Sequence, residues 1–152
     1  MRSLQLTLGS PMILLDDQEN EYHVFFSKRV ESFFRKVQNS TMREMENGGL
    51  LLGGLNGNEI IIDFVTWASK NDVRKRYKFI RKDYRHIKVW KYLNEKSCRK
   101  IGSLGEWHSH PEAVPYPSGI DLREWNKKKN VKEIPCLFLI IGSKEIYLEM
   151  RL

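Results

Sequence analysis

The apolar residues of this chain change period several times, and each change predicts an element. Val30, Phe33, Phe34 and Val37 fall at i, i+3, i+4 and i+7, the stripe of an amphipathic helix, predicted over 26–39. A second helical pattern runs from about Lys82 to Lys96, with Tyr84, Ile87, Trp90 and Leu93 on one face. Short strands are predicted at 3–8 and 11–15, around a Gly9-Ser-Pro turn. Leu50–Leu52 begins a buried strand, and Gly48-Gly49 before it either ends a helical region or forms a tight turn. Asn56-Gly57-Asn58 is a hairpin turn leading into a strand at Glu59–Trp67. Tyr77–Ile80 and Ile101–His110 read as strands, and Ser118 to about Asn130 as a short helix. Pro135–Gly142 is an apolar strand, and Lys144–Arg151 alternates like its hairpin partner. The order mixes α and β, so the expected fold class is α/β, a central sheet flanked by helices.

Composition narrows the class. The 152 residues suit one compact domain, and no repeat or linker divides them, so 1–152 is expected to be a single domain. With 41% hydrophobic and 30% charged residues, the chain is neither disordered nor fibrous. No apolar run reaches the roughly 18 residues of a membrane span, and Met1–Leu15 lacks the continuous core of a signal peptide. Two cysteines, Cys98 and Cys136, are too few for a disulfide framework. A cytoplasmic protein is expected.

The net charge of +7 is unevenly placed. Between Lys70 and Lys100 stand thirteen Lys or Arg against three acids, a balance of +10, while the rest of the chain carries −3. This is either a solvated helix face and loop or a docking surface for an acidic protein or nucleic acid.

The chemistry lies in Gly105-Glu-Trp-His-Ser-His-Pro-Glu-Ala-Val-Pro-Tyr-Pro-Ser-Gly-Ile-Asp121. Residues two apart on a strand share a face, so His108 and His110 would aim both imidazoles at one point. That supplies two ligands for a zinc ion, and Asp121 can be the third. Three protein ligands leave a fourth position for water, the arrangement of a catalytic site. Glu46 is the candidate acid/base that moves the proton, with Glu44 a close rival. Ser118 is placed to donate to an oxyanion. Each feature has a plainer reading: a polar strand face for His-x-His, a helix cap for Ser118-x-x-Asp121, and a solvated glutamate for Glu46. The full spacing, however, arises by chance in only about one chain in several thousand.

His108-Ser-His110, seven residues, Ser118, two residues, Asp121 resembles the JAMM motif of the JAB/MPN metalloproteases. Glu46-Asn-Gly-Gly-Leu-Leu-Leu-Gly53 resembles the same family's upstream glutamate motif. The likeness spans roughly residues 30–150. It implies a three-layer α-β-α sandwich around a curved mixed sheet. It also implies one Zn2+ per chain held by His108, His110 and Asp121, with Glu46 as acid/base and Ser118 supporting the oxyanion. The implied reaction is hydrolysis of a peptide or isopeptide bond after the C-terminal tail of ubiquitin or a ubiquitin-like protein.

Within the family, Gly105–Glu112, Pro117-Ser118 and Phe79-Ile-Arg81 resemble the bacterial branch found in CBASS anti-phage operons. That branch removes a cyclic-oligonucleotide synthase from its protein conjugates, in pathways with E1/E2-like partners. Related branches process ubiquitin-like or sulfur-carrier proteins.

Other classes fit less well. A zinc nucleobase deaminase needs H-x-E and P-C-x-x-C, and the second motif position here is His110. No H-E-x-x-H helix is present. A cysteine nucleophile is disfavoured, because Cys136 sits in an apolar strand and Cys98 at a basic helix end. A non-catalytic scaffold that grips nucleic acid or an acidic partner through the basic segment would be marked by a lost ligand, and none is lost. No membrane partner is expected.

Overall fold

A computed structural model describes residues 2–127 and 135–151. Ten strands and three helices are described there: β1 (Ser3–Leu6), β2 (Met12–Leu15), β3 (Glu21–Phe26), α1 (Lys28–Ser40), β4 (Gly48–Asn56), β5 (Glu59–Val65), β6 (Val73–Lys75), β7 (Lys78–Ile80), α2 (Arg85–Lys96), β8 (Gly102–Ser109), α3 (Gly119–Lys127), β9 (Cys136–Ile141) and β10 (Ile146–Arg151). Eight strands form one mixed sheet in the order β1-β10-β9-β8-β4-β5-β3-β2, and β6 pairs with β7 as a separate hairpin. The pairs β3–β5 and β8–β9 are parallel.

Chain length forces this sheet to curl. β1 and β2 lie at opposite edges, yet only residues 7–11 join them. Eight flat strands would hold those edges about 34 Å apart. The short connection reaches about 20 Å at full extension. The sheet must therefore bend almost into a barrel.

Its concave side holds the main core. Ser27 caps α1 by accepting from the Val30 amide, and Val30, Phe34 and Val37 are buried as the helical pattern predicts. They pack with Leu51, Ile62, Trp107, Leu139 and Leu148 of the sheet. The convex side carries a second cluster, in which Trp125 of α3 stacks on Phe138 with ring centroids 4.6 Å apart. Helices thus lie on both sides of the curved sheet, as the expected three-layer architecture requires.

Several sequence expectations shift. Gly48-Gly49 is neither turn nor helix end; both residues begin β4 and pair with His108 and Trp107. β3 went unread because Glu21–Phe26 lacks clean alternation and runs straight into the helix cap. β6 was likewise missed, being three residues of mostly polar sequence. α2 starts at Arg85, and its only fully buried residue is His86; Tyr84, expected on the apolar face, is 54% exposed. The expected helix end near Asn130 lies outside the described residues.

The bend has a local device. Leu51 pairs with Gly105 and Leu52 with Ser103, so Leu104 is an extra residue in β8. Gly105 has φ +146°, and a Cβ there would lie 1.8 Å from the Leu137 carbonyl oxygen. This bulge resets the alternation. Leu104 and Trp107 both face the concave core, and His108 faces the convex side with Trp125.

Candidate metal centre

His108 sits at the end of β8, and His110 continues the same alternation just beyond it, held by its own amide to the Ile141 carbonyl at 3.0 Å. The Thr41 hydroxyl donates to the His110 carbonyl at 2.9 Å, in a buried contact that ties the loop after α1 to this turn. The two rings converge, with Nε2 atoms 2.9 Å apart.

Asp121 closes the triangle from α3. Its Oδ1 lies 3.3 Å from His108 Nε2, and its Oδ2 lies 3.1 Å from His110 Nε2. The reason is helical geometry. Asp121 and Trp125 are four residues apart and share a face, so burying Trp125 against β9 and β10 turns Asp121 toward the imidazoles. Ser118 starts the helix. Its Oγ accepts from the Asp121 amide at 3.1 Å, and its own amide donates to Asp121 Oδ2 at 2.8 Å. This reciprocal cap bears out the helix-start reading of Ser118-x-x-Asp121 and leaves its site reading geometrically compatible with it. Because the Ser118 oxygen acts as acceptor in the cap, its hydrogen remains available to donate.

Glu46 is buried, with 5% exposure. One carboxylate oxygen lies within 4.8 Å of both imidazole nitrogens, yet it makes no ion pair with them among the described residues. Glu46 can therefore share a water with the rings. Glu44, its rival in the sequence, is exposed and makes no contact with this cluster among the described residues. The fold brings together all five residues expected from the sequence.

The set fits zinc. Tetrahedral ligands about 2.0–2.1 Å from the metal stand about 3.3 Å from one another; here the two Nε2 atoms are 2.9 Å apart, and each lies within 3.3 Å of an Asp121 carboxylate oxygen, Oδ1 for His108 and Oδ2 for His110. Two nitrogens and a carboxylate are also a common zinc donor set.

Electrostatics agree with these roles. Burial pushes Glu46 up to about 7; His110 opposes this, and Asp121 and Glu112 add to it. Burial works against charge on His110, but the bond to Asp121 and the nearby Glu46 and Glu112 outweigh it and raise its pKa. Asp121 is held far below the usual carboxylate range: burial opposes this, and the bonds to His108 and His110 prevail.

Three neighbours escaped the sequence reading. His110 Nδ1 lies 3.0 Å from Glu112 Oε1, which leaves Nε2 to face the metal position. The signal was present, since a carboxylate follows that histidine by two residues. Arg74 reaches the loop carrying Glu46 from 28 residues away, a pairing with no local signature. Phe79 of β7 lies over Gly48, where a Cβ would sit 2.5 Å from its ring. The site opens into a groove of about 460 Å3, walled by Tyr77–Arg81 on one side and Ser118, Ile120 and Glu124 on the other.

Residues 30–151 match the family described as prokaryotic homologs of the JAB domain. The chain belongs to the prokaryotic JAB family. Among relatives of this JAB chain, one from Pseudomonas aeruginosa, named CD-NTase/cGAS isopeptidase, is 36% identical over 137 residues, spanning 89% of this chain and 85% of that protein. One of the same name from Escherichia coli is 32% identical over 90% of this chain and 86% of its own length. A third, from Vibrio cholerae, is 33% identical over 68% of this chain and 65% of its own. The JAB fold also resembles the solution structure of protein DSY2949 from Desulfitobacterium hafniense. That likeness has a TM-score of 0.58 at 19% identity, covering 84% of this chain and 88% of the other. No helix among the described residues is long and apolar enough to cross a membrane.

Proposed function

We propose that this chain is a zinc-dependent isopeptidase that hydrolyses the amide bond after the C-terminal tail of a CD-NTase joined to another protein, in the setting of bacterial anti-phage (CBASS) defence. It would act as a single JAB/MPN domain in the cytoplasm. The observation that carries the reading is the convergence of the His108 and His110 imidazoles on the Asp121 carboxylate, with buried Glu46 beside them. The relatives named as isopeptidases align along nearly the whole chain and supply the substrate class.

His108 Nε2, His110 Nε2 and the Asp121 carboxylate would hold the metal. When bound, zinc supplies Lewis acidity, polarising a carbonyl and making a water acidic near neutral pH. The chain's residues do the rest. Glu46 takes a proton from the attacking water and passes it to the departing amine as the C–N bond breaks. Ser118 donates to the oxygen that gains charge as the carbonyl carbon becomes tetrahedral. The groove between β7 and α3 accepts the tail in extended form.

The test is cleavage of a CD-NTase joined through its C-terminal tail to a carrier protein, with zinc and with a chelator. Chelator-sensitive cleavage at the junction is expected. Cleavage that persists after the metal is stripped would refute the reading.

A further inference from the structure

The β6–β7 hairpin and α2 carry the basic segment, and the fold keeps its charge at the surface. Ten of its thirteen Lys and Arg are exposed, and Arg74, Arg81 and Arg85 are half-buried. Two of its three acids are withdrawn: the Asp72 side chain is fully buried against His86, and Asp83 turns to Ser69 and Arg85. Glu95 alone faces solvent. Among the described residues, only Arg85 of these thirteen has a carboxylate within ion-pair distance. Elsewhere five of the ten described Lys and Arg are paired: Arg2, Arg29, Arg35, Lys127 and Arg151. The segment thus holds a surplus of unneutralised cations, which costs self-repulsion in the isolated protein.

Aromatic rings are interleaved with these cations. Tyr77, Tyr84 and Tyr92 are 75%, 54% and 59% exposed. Lys88 and Lys91 both lie over Tyr84, and Lys96 lies over Tyr92. Tyr84 at the start of α2 and Lys88, Lys91 and Tyr92 on it fall on one outward stripe. The first turn of α2, four residues past the groove-lining Arg81, sits beside Trp67, and its last beside Ile101, at the far end of β8. Tyr77, Lys78 and Arg81 line the groove itself. The charged stripe is therefore a ramp about 18 Å long leading away from the metal centre.

We infer that this ramp docks an acidic face on the folded body of the protein whose tail enters the groove. The inference rests on the isopeptidase reading and adds where the substrate's bulk sits. Continuity with the groove favours this occupant over nucleic acid. A body tethered by a tail held at His108 and Asp121 must lie against the walls of that groove, and this wall carries most of the unpaired positive charge. Such a contact would strengthen capture through encounter and leave the bond-breaking step alone.

The test compares two substrates: a folded CD-NTase joined by its tail to a carrier, and a peptide holding only the tail junction. The variant Lys88→Glu/Lys91→Glu reverses two exposed charges outside the catalytic set. Lys28→Glu/Lys36→Glu on α1 makes the same net change elsewhere. Expected for the first pair is a KM at least tenfold higher for the folded conjugate at low salt, with kcat unchanged, the peptide unaffected and a weaker salt dependence. The α1 pair is expected to match wild type. An equal effect on both substrates, no effect, or the same loss in the α1 pair would overturn the inference. So would a single-stranded oligonucleotide that binds wild type and not the variant, while the conjugate is unaffected. Direct binding of the conjugate in chelator is measured alongside. If wild type cleaves neither substrate, the isopeptidase reading fails, and binding alone decides the dock.

Discussion

Arg74 grips the strand entrance that carries Glu46, donating its Nε to the Glu46 carbonyl at 2.9 Å. Its Nη2 donates to the Met45 carbonyl at 3.0 Å, and the Glu46 amide in turn donates to the Lys75 carbonyl at 2.8 Å. The hairpin thereby fixes the backbone of the proposed base from outside the site.

Arg74→Ala is expected to lower kcat about ten- to a hundredfold, because a displaced base loses its alignment. KM and zinc content should stay near wild type, and Arg74→Lys should restore part of the rate. Steady-state kinetics beside metal analysis check this. A variant with normal kcat would remove Arg74 from any positioning role.

Glu46→Gln should keep one zinc per chain and lose nearly all turnover. In the chelated wild type, the Glu46 carboxyl should titrate near pH 7, as its burial dictates. Adding zinc should lower that midpoint, since a nearby dication favours the carboxylate. Carbon-detected NMR titration reads both states. A midpoint near the ordinary 4.5 without metal would contradict the buried environment.

Asp121→Ala should abolish tight zinc binding. Glu112→Ala should weaken it about ten- to a hundredfold through the loosened His110 ring. Competition with a chromogenic chelator measures both, and full zinc occupancy in Asp121→Ala would strike that residue from the ligand set.

A separate buried network governs acid stability. The Leu50 amide donates to Thr66 Oγ1, which lies 2.5 Å from His86 Nδ1, and His86 Nε2 lies 2.7 Å from Asp72 Oδ2. Burial alone would raise the Asp72 pKa. The amides of Asp83, Ser69 and Lys82, together with His86, overcome this and bring it from 3.8 to about 2. A depressed folded pKa means that the stabilisation is complete above about pH 4 and is lost as pH falls through 2. Its size is about 2 kcal/mol. Wild type should exceed Asp72→Asn in urea-unfolding stability at pH 5, and the gap should narrow by that amount toward pH 2. A constant gap would show that Asp72 is not the titrating group.

The convergence of the proposed metal ligands was legible because strand alternation brings His108 and His110 to one face regardless of the rest of the fold. Asp121 was legible as part of a spaced motif, although what aims it, the burial of Trp125, depends on β9 and β10 further along the chain. The pattern failed where contacts span long separations. Gly48 looked like a turn because nothing in sequence announces Phe79 lying above it. The apolar face expected of α2 keeps Ile87, Trp90 and Leu93 half-buried, but its anchor is polar, since His86 finds Thr66 and Asp72 only after the chain has folded back. The bulge at Leu104 is equally silent, being defined by the partner strand.

The reciprocal cap between Ser118 and Asp121 has a consequence for assembly. The carboxylate proposed to complete the zinc site also satisfies the first turn of α3, so the helix start and the proposed metal seat share one set of bonds. Capture of the ion and ordering of that turn then become a single linked equilibrium. An emptied centre should loosen first at Ser118–Asp121, and amide exchange there should be the earliest reporter of metal loss.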